Sequence, residues 1–400
     1  MKKNNLFAVI ILLPFLMLFN SCFSPVFYEV RKDVMPESAT VSGNIPQITR
    51  YTLNGEEYIF ASANGGLRYK KADNQIHGSW ATMAVPFTLL NFNYDTTKMN
   101  GAQLIGVFAN SETLYLIAAT FSTEGSEGKT NPSKIEIWAS NTPDVADSWS
   151  QINKDSSIDY FPFLYDSVNE VYKANYNVFQ TNTPKKTNRH AYICSYIKNE
   201  DGTSGAYKCF ELSGTSILPV SISKPEDAEA GNRVYSAAYF KGEVRFFTSR
   251  AVVTDETYSS DAKNIYYADG DALYYYSSAS ATYVKACSTG TVISTLAVTK
   301  DSIIIGLGNL LSLSTDAGGI KRVLRAEDGT PGSATVSFET NADFQISTAY
   351  NVLSLLNTTP ENEEKDSILY ASITFSGYDG IYDNIGIWSY YPTRGNWNRE

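Results

Sequence analysis

The residues able to do chemistry are few and far apart. The 400-residue chain has two histidines and four cysteines. His77 lies in the polar stretch Asp73–Ser79, and His190 follows Lys185-Lys186. Neither has a cysteine, aspartate or second histidine at metal-ligand spacing. No order of Ser, His and Asp stands out as a triad, so no catalytic, metal or cofactor site is expected from these types. Gly306-Leu307-Gly308 sits between apolar runs rather than ahead of a helix and cannot cradle a phosphate as a helix-opening loop does. The acidic run Glu361-Asn362-Glu363-Glu364-Lys365-Asp366 lacks calcium-loop spacing and reads as a solvated loop. What remains is carboxylate chemistry, for which the acids are plentiful, and Arg68, Arg233, Arg245 and Arg250 if folding were to converge them.

The first cysteine is a different matter. Lys2 and Lys3 precede an apolar run of 14 residues, Leu6–Phe19, which Asn20, Ser21 and Cys22 end. A membrane span needs about 20 apolar residues, so the run reads as a signal-peptide core. Leu18-Phe19-Asn20-Ser21-Cys22 resembles the bacterial lipobox, in the looser form of spirochaete lipoproteins. Ser21 fits the pattern; Phe19 and Asn20 depart from its strict form. The resemblance implies cleavage between Ser21 and Cys22, diacylglycerol on the Cys22 sulfur and an acyl chain such as palmitate on the new amine. Each buried methylene adds about 0.8 kcal/mol and one chain binds only marginally, so two or three make a lasting anchor. The expected division is a signal peptide over residues 1–21, a lipidated tether over 22–45 and a folded domain over 46–400. The expected location is the extracytoplasmic side of a bacterial envelope, on the periplasmic face or the cell surface.

Two further cysteines flank a turn. Asp201-Gly202 is a strong two-residue hairpin signal. Pairing about it sets Cys194 opposite Cys209, Tyr196 opposite Tyr207 and Ile193 opposite Phe210. Opposed strand residues lie roughly 4.5–5.5 Å apart at Cα, within disulfide reach, and an exported chain meets an oxidising compartment. A Cys194–Cys209 bond is expected, two buried thiols in a longer loop being the alternative. Cys287 is left over.

The elements that must carry these residues are strands. Hydrophobic residues are 43% of the chain, enough for a packed core, and 28 tyrosines stand against five methionines. Short alternating runs recur between Gly, Asn, Asp, Ser and Pro, which predicts an all-β protein. The net charge is −10, and export would remove two lysines and no acid. An acidic surface without a basic run excludes nucleic acid as a partner.

A repeat underlies the strands. Trp80 follows Tyr69 by 11 residues, Trp149 follows Trp138 by 11, and Trp397 follows Trp388 by 9. Each pair brackets a polar turn, and dense apolar runs such as Ile303-Ile304-Ile305-Gly306-Leu307 precede the hairpins. Strands apolar on both faces are buried between sheets. Six units of about 60 residues, four strands each, resemble the blades of a β-propeller. Six blades are expected, and seven are allowed because Asp159–Tyr176 is unassigned. A large β-sandwich is the alternative. Val26–Val34 is the candidate ring-closing strand.

Propellers of the sialidase type carry Asp boxes. Ser314–Lys321 matches the Ser, Asp and Gly of that box but has Lys321 at its Trp; Ser140–Trp149 has the Ser and Trp with a loop two residues too long. Both read as structural turns. The expected function is therefore a membrane-anchored binding or scaffolding module for an envelope or host macromolecule or a glycan. Ser122–Pro132, Val253–Lys263 and Thr358–Asp366 are the loops expected to make contacts. The alternative is a sialidase-like glycan hydrolase or lyase, which would need an Asp or Glu pair and clustered arginines at the ring mouth.

Overall fold

The structure, a computed structural model, describes residues 41–400 apart from 64–65, 75, 77, 90–100, 123–130, 155–162, 167–170, 175, 197–206, 230–231, 309–316, 339–345, 359–366, 376–383 and 393–394. Ser21, Cys22, Val26–Val34 and His77 lie outside the described residues. Among the described residues there is no α-helix, only the 3-10 turns Ala146–Ser148 and Lys186–Asn188.

The strands fall into antiparallel sheets taken up in chain order. The first holds β1 (Ile48–Leu53), β2 (Glu56–Ala63), β3 (Gly66–Lys71) and β4 (Ala81–Met83). The second holds β5 (Ala102–Ala109), β6 (Leu114–Ser122), β7 (Asn131–Ser140) and β8 (Ser150–Gln151). A separate hairpin, β9 (Phe163–Asp166) with β10 (Val171–Ala174), accounts for the unassigned stretch. The third sheet is β11 (Tyr176–Gln180), β12 (Ala191–Tyr196), β13 (Tyr207–Ser213) and β14 (Ser216–Val220), and the fourth is only β15 (Ser236–Phe240) with β16 (Glu243–Phe247). β17 (Val252–Thr254), β18 (Ile265–Asp269), β19 (Ala272–Ser277) and β20 (Thr282–Ser288) form the fifth. The sixth is β21 (Ile293–Val298), β22 (Ser302–Leu307), β23 (Gly319–Leu324) and β24 (Val336–Ser337). The seventh is β25 (Tyr350–Asn357), β26 (Leu369–Phe375), β27 (Gly386–Tyr391) and β28 (Asn396–Arg399).

The first strands of these sheets neighbour one another in the order β1, β5, β11, β15, β17, β21, β25 and back to β1. The molecule is thus an all-β, propeller-like ring of seven sheets, not the six expected. The extra sheet does not come from Asp159–Tyr176. It arises because 233–249 and 265–286 belong to two sheets, the fourth and the fifth. Among the described residues the fourth lacks outer strands. Its open edge is covered by the preceding segment, where Glu226 N–H donates to the Phe246 carbonyl at 2.8 Å and Asp227 accepts from Thr248 and Ser249 N–H. That answers the hazard of an unpaired edge.

Hydrophobic burial follows the pleat. Along β22, Ile303, Ile305 and Leu307 pack toward the fifth sheet, while Ile304 packs toward the seventh. Alternation with a period of two therefore buries both faces, each large side chain contributing about 1.5–3 kcal/mol. One such cluster fills every sheet-to-sheet interface. Trp80, Trp149 and Trp397 each lie at the start of a fourth strand and pack toward the preceding sheet. They are equivalent, as the repeat predicts. Tyr69 breaks the pattern of the third strands: it packs toward the second sheet, whereas Trp138 and Trp388 pack toward the sheet before their own.

Among the described residues the first strand of each sheet has no strand partner on its inner edge, so its backbone groups need side chains. Neighbouring sheets supply them. Thr49 Oγ1 donates to the Val107 carbonyl at 2.6 Å, Ala109 N–H to Gln180 Oε1 at 2.8 Å, Asn177 Nδ2 to the Val234 carbonyl at 2.8 Å, and Ser294 Oγ to the Val352 carbonyl at 2.5 Å.

The ring closes between the seventh and first sheets. Val41 N–H donates to the Glu400 carbonyl at 3.1 Å and Ile387 N–H to the Val41 carbonyl at 3.0 Å. Val41 and Ile45 are fully buried, so the ring begins within the segment expected to be tether.

Candidate functional site

The first strands of all seven sheets surround a central channel with a cavity of about 440 Å³. Among the described residues it opens at the end where these strands begin, beside Gln47, Tyr235 and Arg250. Apolar side chains line it, Ile105, Val178, Val252 and Leu353 among them, with the amides of Gln47, Asn177 and Asn182 between. Among the described residues its only charged lining group is Arg250, and no Asp or Glu lines it. Arg250 lies over the Tyr235 ring at 4.9 Å, and Arg233 lies over the same ring at 5.1 Å while donating to the Tyr176 carbonyl at 3.4 Å. Of the four arginines singled out, two therefore meet at this mouth and two do not. Arg245 is held on β16 by Glu226 and Glu243 at 3.3 and 2.9 Å, and Arg68 on β3 pairs with Thr82.

The opposite mouth is plugged. The loop after β17, within the predicted contact loop Val253–Lys263, folds across it. Tyr258 OH donates to the Thr358 carbonyl of the seventh sheet at 3.0 Å, and Arg50 of the first sheet donates to Tyr258 OH at 2.8 Å. Lys185 reaches Asp261 at 2.5 Å and Asn188 Nδ2 donates to Glu256 at 2.5 Å, tying the loop to the third sheet. On the sixth-sheet side Asp255 accepts from Lys263 and Asn264 N–H and lies 3.4 Å from Arg325. Gly329 must stay glycine there: its φ is +84°, and a Cβ would run into Asn264, Asp255 and Tyr266. Much of this loop is committed to intramolecular contacts, while Tyr258, Ser259, Ser260 and Asp261 at its tip stay exposed. Most of Ser122–Pro132 and Thr358–Asp366 lies outside the described residues.

The plug concentrates buried charge. Arg189 is 3% exposed and sits between both oxygens of Glu57, at 2.9 and 3.1 Å. Burial lowers its pKa while Glu57 opposes the shift. Burial raises Asp255, against its backbone donors and Arg325, and pushes Glu256 up to about 7. These acids face arginines already committed to carbonyls and the plug itself, so they form a structural network. Nothing in the sequence singled it out; the adjacent acids Asp255-Glu256 beside Tyr258 were the available signal.

The remaining sequence candidates are structural. His190 is part-buried, bonded through Nδ1 to Glu211 at 2.8 Å and stacked on Tyr239. In the Ser140–Trp149 turn, Ser140 Oγ and Ser148 Oγ share a hydrogen bond of 2.6 Å. Ser314, Thr315 and Asp316 lie outside the described residues. Cys194 and Cys209 stand opposite each other on β12 and β13 with Cα atoms 4.0 Å apart and their sulfurs bonded, and Cys287 is free and buried.

No family model matches the chain. No curated protein matches it either. Among solved structures, a chain from a crystal structure of the mitotic checkpoint complex is similar at a TM-score of 0.37 and 10% identity, over 89% of this chain and 92% of that one.

Proposed function

We propose that this protein is a lipid-anchored, extracytoplasmic binding module that presents the open face of its ring to an envelope or host macromolecule. The observation that carries the binding reading is the channel. Among the described residues, one mouth is crossed by the protein's own loop and the other is not, and the channel lining holds apolar groups and neutral amides without a carboxylate pair. A rigid ring around such a cavity suits recognition, and among the described residues its lining holds no acid pair of the kind that glycoside hydrolysis uses. The anchoring part of the reading rests on Leu18–Cys22 and the apolar run before it.

Fractionation of producing cells tests the anchor. The wild type partitions into detergent with the membranes, and Cys22→Ser releases the protein from them. A Cys22→Ser protein that still partitions like the wild type overturns the lipoprotein reading. Cross-linking on intact cells tests the binding module: a specific partner cross-linked through open-face residues supports it, and efficient turnover of glycosidase or sialidase substrates that depends on one Asp or Glu overturns it.

A further inference from the structure

We infer that the open channel mouth is a carboxylate-binding site in which the Arg250 guanidinium holds the anionic group and the channel wall takes an apolar body. The inference rests on the reading of the ring as a binding module and names the chemistry its mouth recognises.

Four observations converge. First, Arg250 is exposed and its guanidinium meets only the Tyr235 ring among the described residues. Stacking on an aromatic ring orients a guanidinium while leaving its in-plane donors available. Second, among the described residues the channel lining holds no acid although the chain carries a net charge of −10. A cationic point inside an acidic protein attracts an anion locally and restrains highly charged ones, which favours a monoanion over a phosphate dianion. Arg233 over the same ring, at 5.1 Å, deepens the local positive potential. Third, neutral amides stand around the cavity with hydrogen-bonding capacity in hand. Asn177 uses Nδ2 on the Val234 carbonyl, and no bond to its Oδ1 occurs among the described residues. Gln47 and Asn182 line the same cavity. Fourth, the cavity of about 440 Å³ falls in the range of small-molecule sites, roughly 300–1,000 Å³. Its apolar wall, with Ile105, Val178 and Leu353, fits an aliphatic or aromatic body rather than a bare ion.

The carboxylate can belong to a free small molecule or to a polypeptide, and titration calorimetry on the full chain in detergent separates the two. The probes are 4-phenylbutanoate against 4-phenylbutanamide, and a Leu-rich pentapeptide with a free C-terminus against its amidated form. Binding of the acid and not its amide is expected, because the fork pairs with both carboxylate oxygens. Binding by phenylbutanoate assigns a small-molecule ligand; binding by the free-acid peptide alone assigns a chain terminus. Arg250→Gln should weaken either by about 10- to 100-fold, a loss typical of one charge-assisted pair. Arg250→Lys should fall between, and Lys285→Gln, which removes one exposed positive charge from the outer strand β20, should leave affinity unchanged. Equal binding of acid and amide, an Arg250→Gln protein of unchanged affinity, or no binding by any of the four probes overturns the inference. In the last case, continued capture of a partner at the open face leaves the binding-module reading standing.

Discussion

Glu256 shows what a single buried group does to this ring. It is 1% exposed; one oxygen accepts from Asn188, and the other has no partner among the described residues. Burial lifts its pKa from 4.5 to about 7, with Asn188, Lys185 and Arg189 pulling it down and Asp261 pushing it up. A raised acid stabilises the fold while protonated. That contribution is fully present below about 4.5 and is lost as pH rises through about 7. Glu256→Gln keeps the acceptor for Asn188 and removes the titration. Thermal melts near pH 4 should therefore find variant and wild type alike. At pH 8 the variant should be more stable by on the order of 1–3 kcal/mol. A variant shifted equally at both pH values would show that Glu256 does not titrate in this range.

At the scale of elements, the hairpin β12–β13 was the most legible part of the chain. Its register follows from a turn dipeptide and a period of two: Ile193 opposite Phe210, Cys194 opposite Cys209, Tyr196 opposite Tyr207. The sulfur pair closes a sequence separation of 15 residues, for which chain-entropy arguments give about 3 kcal/mol. Non-reducing peptide mapping of exported protein should recover Cys194 joined to Cys209. Cys194→Ala with Cys209→Ala should lower stability by about 2–3 kcal/mol. Cys287 is buried, with its thiol pKa raised by that burial, and should react with thiol reagents only after unfolding. Recovery of both hairpin cysteines as free thiols would refute the bond. Less legible was the fourth sheet. Its two strands were visible, but a missing outer pair leaves no signal of its own, and the covering segment at Glu226–Asp227 has no strand pattern.

At the scale of the whole molecule, one ion pair bolts the ring shut. Lys70 Nζ lies 2.8 Å from Glu400 Oε2, and both side chains are fully buried. The same carboxylate accepts from Trp80 Nε1 at 2.9 Å and Gly78 N–H at 3.1 Å in the first-sheet region, and from Ser389 at 2.5 Å and Tyr391 at 3.2 Å in the seventh sheet. Burial lowers the Lys70 pKa and Glu400 opposes the shift. Removing one member leaves the other charge buried without its counterion, at a cost of about 3–5 kcal/mol. Glu400→Gln should lower the midpoint of urea unfolding accordingly. Lys70→Met with Glu400→Gln should cost less than the two single changes added together, because the members share one interaction. Additive losses would mean that the pair does not hold the closure.

Sequence alone determined the strand class, the apolar runs buried on two faces, the equivalence of Trp80, Trp149 and Trp397, and the hairpin register. Each of these is periodic or local, the widest being a hairpin pair such as Cys194 and Cys209, 15 positions apart about one turn. Only the tertiary structure decided the count of seven sheets, the plugging of one mouth by the loop after β17, the meeting of Arg233 and Arg250 on Tyr235, and the Lys70–Glu400 bolt. Those depend on which residues the ring brings together across separate strands and sheets, up to 330 positions apart, and no local pattern encodes such a meeting. Where sheets repeat around an axis, the pleat sets what each strand buries, and ring closure sets which polar groups must find each other.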